Sequence, residues 1–235
     1  MEEQIKKQVC IANKSISESG LVFGTWGNVS QIDSNNEFIY IKPSGVSFKE
    51  LIPEKIVKID LNGFYKDSSK PSVDSPAHIE IYKGLKEVKS IVHTHSEYAT
   101  AFAQAKIPIP CLGTTHADHF FGEIPLIPGL ENEELGEYTK NLGKKIVKYF
   151  KEKEINPLET PACLIPNHGV FVFGETAEKA VENAMILEQV ARLAYRTIVL
   201  SQNYGRHREI ETSLLERHFK RKHGKDKYYG QENQN

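Results

Sequence analysis

His93 and His95 stand two residues apart in SIVHTHS, residues 90–96, at the close of an apolar run. Side chains at alternate positions of a β-strand leave the same face, so both imidazoles can reach one point in space. A third histidine, His168, ends a second apolar run, ACLIPNHG, and is followed by Gly169, a residue that leaves room beside an imidazole. Three nitrogen donors with one position open is the composition of a catalytic zinc centre, whereas a structural centre closes all four positions, generally with cysteine. These residue types and this spacing point to chemistry at one bound divalent cation, Zn2+ first, with Mn2+ or Co2+ also accepted by such donors.

Other stretches suit an anion. KPSG offers the Lys42 ammonium, the Ser44 hydroxyl and the backbone N–H of Gly45, the donors that hold a phosphate. In KPSVDSPAH, Asp74 or Ser75 can cap a helix whose first residue is Pro76. Ser72 and Asp74 then lie on the approach to a helix N-terminus, where the dipole and free N–H groups favour negative charge. GTWGNVS, residues 24–30, flanks the only tryptophan with two glycines and ends in the hydrogen-bonding residues Asn28 and Ser30. GTTHADHFFG gathers Thr115, His116, Asp118 and His119. Asp118 is the acid/base candidate of that group, and His116 and His119 take supporting or surface roles because three ligand candidates lie elsewhere. His78, on a helix face, reads as a structural histidine.

The elements that must position these residues follow from periodicity and punctuation. Ile5, Val9, Ala12 and Ile16 recur at helical spacing before Gly20, which predicts an amphipathic helix over 3–19. Residues 28–33 and 37–42 read as paired strands across Ser34-Asn35-Asn36, and Asn62-Gly63 predicts a hairpin over 57–67. Helices are expected from Pro76, over 96–105 and over 131–153, and a strand pair carrying His168 over 162–174. A long core helix is expected over 176–200, with Ala180, Ala184, Leu187, Ala191, Ala194 and Ile198 on one stripe. A basic helix within 206–227 precedes KYYGQ, and the last five residues are expected to fray.

With 235 residues, 39% hydrophobic and 26% charged, the chain can bury a substantial core as one α/β domain. A formal charge of -1 gives no electrostatic ground for nucleic acid or a membrane surface as partner, so a small molecule is expected. Three scattered cysteines without a CxxC suggest neither a disulfide framework nor a thiolate metal site, and a reducing cytoplasm fits. The N-terminal residues lack the apolar core of a secretory leader, and no stretch reaches the roughly 18 apolar residues of a membrane span.

TWGNVS, KPSG, KPSVDSPAH, VHTHS, GTTHADHF, NHG and ERHFKRKHGKDKYYGQ, in that order over residues 5–231, together resemble the class II sugar-phosphate aldolase/epimerase family. The resemblance implies a three-layer α/β/α sandwich around a mostly antiparallel sheet. It also implies a homotetramer with active sites between subunits, in which a tail over residues 206–231 of the single 1–235 domain reaches the neighbour's site. It places zinc on His93, His95 and His168, with Asp74 attributed to the same centre. A sugar phosphate would be held by Gly27 and Asn28, by Ser44 and Gly45 beside Lys42, and by Ser72 and Val73, with Thr115 on the substrate side. The implied acid/base pair is Asp118 and, from the neighbouring subunit, Tyr229, with His218 close by. The chain departs from the pattern at Val73, where epimerases carry a second serine, and at Ser75, which replaces threonine. Asp74 stands where the aldolase branch carries glutamate, which favours the epimerase branch and inversion at C4 of a pentulose 5-phosphate. The alternatives are an aldolase acting on a deoxyketose 1-phosphate and a non-catalytic scaffold on the same fold.

Overall fold

The computed structural model describes residues 2–204 and 209–224. The predicted amphipathic helix is α1 (Glu2–Glu18), and its Ile5, Val9, Ala12 and Ile16 are all buried. Six strands follow among the described residues: β1 (Asn28–Ile32), β2 (Phe38–Ile41), β3 (Val57–Asp60), β4 (Ser90–Thr94), β5 (Ala162–Leu164) and β6 (Val170–Gly174). They form one sheet in the order β3-β2-β1-β4-β6-β5, and every ladder is antiparallel. β4 is central and buried along its whole length, so Ser90, His93 and Thr94 are as buried as Ile91 and Val92 and its sequence shows no apolar/polar alternation.

The remaining helices are α2 (Ser75–Gly84), α3 (Glu97–Ala105), α4 (Thr114–Ala117), α5 (Tyr138–Glu152), α6 (Ala177–Tyr204) and α7 (Thr212–His223). Alternation along the strands sends Val29, Val92, Val170 and Val172 to one face, where they pack on α1, α3 and the small-residue stripe of α6. Ile39, Ile59, Ile91, Phe171 and Phe173 leave the other face and pack on α2 and α5. Burying such side chains stabilises by about 1.5–3 kcal/mol each, so both faces require helical cover. The result is the expected three-layer α/β/α sandwich. Cys10, Cys111 and Cys163 are buried free thiols. No described helix is long and apolar enough to cross a membrane.

Two expectations need correction. The hairpin over 57–67 closes only as a turn: Asp60 N donates to Phe64 O at 3.0 Å, and Gly63 takes φ 85°. Its return arm is not a strand, because the Asp67 carboxylate accepts the Lys58 N–H, at 2.9 Å, that a backbone carbonyl would have taken. The helix expected over 131–153 divides into a 3-10 turn, Asn132–Glu137, and α5. A capping box between Glu131 and Glu134 fixes the turn, with Glu131 N donating to Glu134 Oε2 at 2.7 Å.

Candidate active site

β4 delivers His93, and the chain just beyond its last residue turns His95 to the same side, with the two Nε2 atoms 3.1 Å apart. His168 comes from the β5–β6 turn, which is pinned by Ile165 N donating to Gly169 O at 2.9 Å and His168 N to Ile165 O at 3.1 Å. One ring nitrogen from each of the three histidines lies within 4.8 Å of the other two. His93 Nδ1 sits 2.9 Å from Val170 O. A carbonyl only accepts, so Nδ1 carries the proton and Nε2 keeps its lone pair for the cluster. The His93 ring stacks on Phe171, with centroids 4.5 Å apart.

Burial and the repulsion of His93 and His95, set against the attraction of Asp74, push His168 down to about 4. Burial and His93 likewise lower His95. Neutral imidazoles with inward lone pairs are the form that a divalent cation binds. Bonds of about 2.0–2.1 Å at tetrahedral angles would set donor nitrogens about 3.3–3.4 Å apart, and the 3.1 Å between His93 and His95 is close to that spacing. The three residues fit a metal centre.

Two glycines make the approach possible. A Cβ on Gly169 would lie 2.5 Å from Thr94 O and 2.8 Å from His95 Cδ2, so the imidazole for which it leaves room is that of His95. A Cβ on Gly27 would meet His93 O at 2.8 Å and Val22 Cγ1 at 2.7 Å, and the residue takes φ 83°, a conformation that suits glycine.

Beside the histidines opens a groove of about 360 Å³. Its walls are the 25–28 segment, Lys42 to Gly45, Ser72 to Asp74, and the three histidines. The two serine loops are zipped together, Ser44 N donating to Lys70 O at 2.9 Å and Ser72 N to Lys42 O at 3.0 Å. Asn28, paired with His93 in the β1–β4 register, donates from Nδ2 to Asp74 Oδ2 at 2.8 Å and to Ser72 Oγ at 3.1 Å. Asp74 occupies the cap position of α2, yet its side chain makes no cap bond and turns into this network. Its carboxylate lines the groove without joining the three-nitrogen cluster. Burial pushes the Asp74 carboxyl up, and the imidazoles of His93, His78 and His168 with the Asn28 amide outweigh that and hold it below its usual range. Lys42 Nζ is buried, donating to Thr25 O at 3.3 Å and Pro43 O at 3.4 Å. Burial, opposed by Asp74, lowers it to about 8. Val73 is 72% exposed, with its side chain outside the core.

His78 is the structural histidine the sequence suggested, although its connections were not legible there. Ser30 Oγ lies 2.7 Å from His78 Nδ1 and 2.8 Å from Tyr82 OH, joining α2 to β1 beneath the groove. Burial, together with His93 and against Asp74, lowers His78 to about 3. Asn13 and Glu188 are also not marked in the sequence. Asn13 clips α1 to β1 by accepting from Val29 N at 2.8 Å and donating to Val29 O at 3.0 Å, which fixes the strand residue next to Asn28. Glu188 of α6 accepts from Tyr98 N at 2.8 Å and Ala99 N at 3.0 Å, capping α3 just after His95.

Asp118 lies elsewhere in the chain. It accepts from Arg221 at 3.0 Å with both oxygens, and His218 Nδ1 lies 3.0 Å from Oδ1. His116 Nε2 donates to Gly122 O at 2.8 Å, His119 contacts Lys222 at 3.1 Å, and Thr115 is exposed at a separate small cavity. None of Thr115, Asp118 and His218 lines the histidine groove of its own chain. Tyr229 lies outside the described residues.

A model of the Class II Aldolase and Adducin N-terminal domain matches residues 7–195. A protein of Mycoplasma pneumoniae named "Probable L-ribulose-5-phosphate 4-epimerase UlaF" is 43% identical over 236 residues, spanning 99% of this chain and 96% of its own. Among solved structures, an L-fuculose 1-phosphate aldolase is similar with TM-score 0.76 at 24% identity, over 92% of this chain and 94% of that one. The L-fuculose-1-phosphate aldolase of Thermus thermophilus is similar with TM-score 0.66 at 22% identity, over 87% of this chain and 98% of that one. At these identities the two structures speak to the fold.

Proposed function

The chain belongs to the class II aldolase and adducin family, and from that premise we propose that it is a metal-dependent epimerase interconverting L-ribulose 5-phosphate and D-xylulose 5-phosphate. The observation that carries the reading is the convergence of three imidazoles at the edge of a groove lined by phosphate-binding residue types. The full-length relative named as such an epimerase supports the choice of substrate.

The reaction inverts C4, whose hydrogen is not acidic because C4 is not adjacent to the C2 carbonyl. The C3–C4 bond must therefore break and re-form. A base removes the C4 hydroxyl proton, and cleavage gives glycolaldehyde phosphate and the enediolate of dihydroxyacetone. Re-addition to the opposite face of the aldehyde regenerates a ketose with C4 inverted. A divalent cation held by His93, His95 and His168 would supply Lewis-acid stabilisation of the charge that develops on the three-carbon fragment.

The protein's own groups do the remainder. Lys42, Ser44, Gly45, Ser72 and the backbone at Gly27 and Val73 anchor the phosphate, so the aldehyde can turn while its tail stays fixed. Asn28 Oδ1, buried and without a hydrogen-bond partner among the described residues, is the acceptor left for a substrate hydroxyl. Asp74 orients Asn28 and Ser72 and would add negative charge near a cation held by the three histidines. Attack on two faces requires proton transfer from two sides, and Asp118, held by Arg221 and His218, forms that pair with Tyr229. In this reading the complete site forms between subunits of a homotetramer, which gives Asp118 and His218, standing away from the groove of their own chain, a groove to serve.

The test is to incubate purified, zinc-assayed protein with L-ribulose 5-phosphate and measure D-xylulose 5-phosphate. Its appearance supports the reading. Release of dihydroxyacetone phosphate from L-fuculose 1-phosphate, with no pentulose interconversion, would overturn it in favour of an aldolase.

A further inference from the structure

The three histidines are held in different ways. His93 is locked by a backbone carbonyl on its Nδ1, which leaves no freedom in ring or tautomer. His168 sits in a turn whose backbone is pinned, but that fixes its Cα and not its ring. The Nδ1 of His168 instead lies 3.0 Å from the hydroxyl of Tyr138, the first residue of α5 and thirty positions away in the chain. The two rings are tilted at 42° with centroids 5.9 Å apart.

Tyr138 is itself held by considerable local structure. The 3-10 turn ahead of it is closed by the Glu131–Glu134 capping box. Asn141 Nδ2 donates to Glu134 O at 2.7 Å, and Lys145 pairs with Glu134 Oε2 at 2.7 Å. The break between 3-10 turn and α-helix falls at Tyr138 and projects its side chain toward the β5–β6 turn.

From this geometry we infer that Tyr138 is a positioning residue for the metal centre: its hydroxyl oxygen accepts from His168 Nδ1–H and so fixes the tautomer and ring angle that present His168 Nε2 to the cation. The inference rests on the metal reading above. The opposite tautomer would have Tyr138 donate to Nδ1, leaving a proton on Nε2 and no lone pair for the ion. An outer partner of this kind is worth about 10–100-fold in metal affinity.

The test compares Tyr138→Phe with wild type and with His168→Asn, using full-length protein. Zinc affinity is read by chelator competition, and Co2+-substituted protein by its visible absorption spectrum. Phenylalanine keeps the ring and removes only the hydroxyl, so the metal-free melting temperature is expected to be unchanged. Zinc affinity should fall about 10–100-fold, and the Co2+ absorption should shift. Wild-type affinity and spectrum in Tyr138→Phe, with affinity lost in His168→Asn, would overturn the positioning role and leave the metal centre standing. A fall in affinity matched by a lower metal-free melting temperature would also overturn it, as a merely structural effect. Wild-type affinity in both variants would overturn the metal centre itself.

Discussion

Replacing Gly169 by alanine tests the packing that brings the imidazoles together. The added Cβ would lie 2.5 Å from Thr94 O and 2.8 Å from His95 Cδ2. Ordinary contact begins near 3.5 Å, so the two neighbours must give way by about 1 Å and about 0.7 Å respectively. Thr94 cannot retreat freely, because it pairs with Val170 in the β4–β6 ladder. The His95 ring can move, and since Cδ2 is bonded to Nε2 its displacement carries the nitrogen away from its 3.1 Å approach to His93. Overpacking at such a site costs roughly 1–3 kcal/mol of stability, and the displaced donor lowers metal affinity in addition. Urea denaturation of metal-free Gly169→Ala and zinc titration of the folded variant measure the two effects separately. Wild-type stability together with wild-type zinc affinity would show that neither Thr94 nor His95 had to move and that Gly169 does not set the approach of the imidazoles.

Removing a donor directly, His95→Asn should lower bound zinc in purified protein, and unchanged stoichiometry by elemental analysis would remove His95 from the centre. Burial holds Lys42 at about 8, so its ammonium is present below that pH and lost above it, and a bound phosphate, which favours the cation, draws the value upward. The KM for a phosphorylated substrate should therefore rise as pH climbs past about 8, while Lys42→Met should show a raised KM without that limb. A wild-type KM independent of pH across this range would contradict the role. Glu188→Ala strips the cap from α3 and should cost about 1–2 kcal/mol, read as a lower urea midpoint with an unchanged slope; an unaltered midpoint would show that solvent replaces the carboxylate.

Much of this arrangement is legible in the sequence because it depends on short-range pattern. Helix α1, the β1–β2 pair and the α6 stripe follow from the spacing of apolar residues, and the His93–His95 pair follows from strand geometry. The hairpin expected at Asn62-Gly63 fails because the Asp67 side chain, rather than a return strand, takes the Lys58 N–H. Asp74 reads as a helix cap because its position is a cap, but Asn28, forty-six residues away, draws its carboxylate into the groove. Tyr138, Asn13 and Glu188 were invisible for the same reason. Each acts through one hydrogen bond or a pair to a distant segment, and a polar residue on a helix carries no periodic mark of which segment that is. Tyr138 was further concealed because the change from 3-10 turn to α-helix leaves the polar pattern over 131–153 continuous.

On this reading three imidazoles from distant parts of the chain hold one divalent cation. Anomalous diffraction at the zinc edge on crystals of zinc-loaded protein locates that ion. One peak per chain is expected, about 2.0–2.1 Å from a nitrogen of each of His93, His95 and His168. A peak bound elsewhere, or none among these three rings, would contradict it.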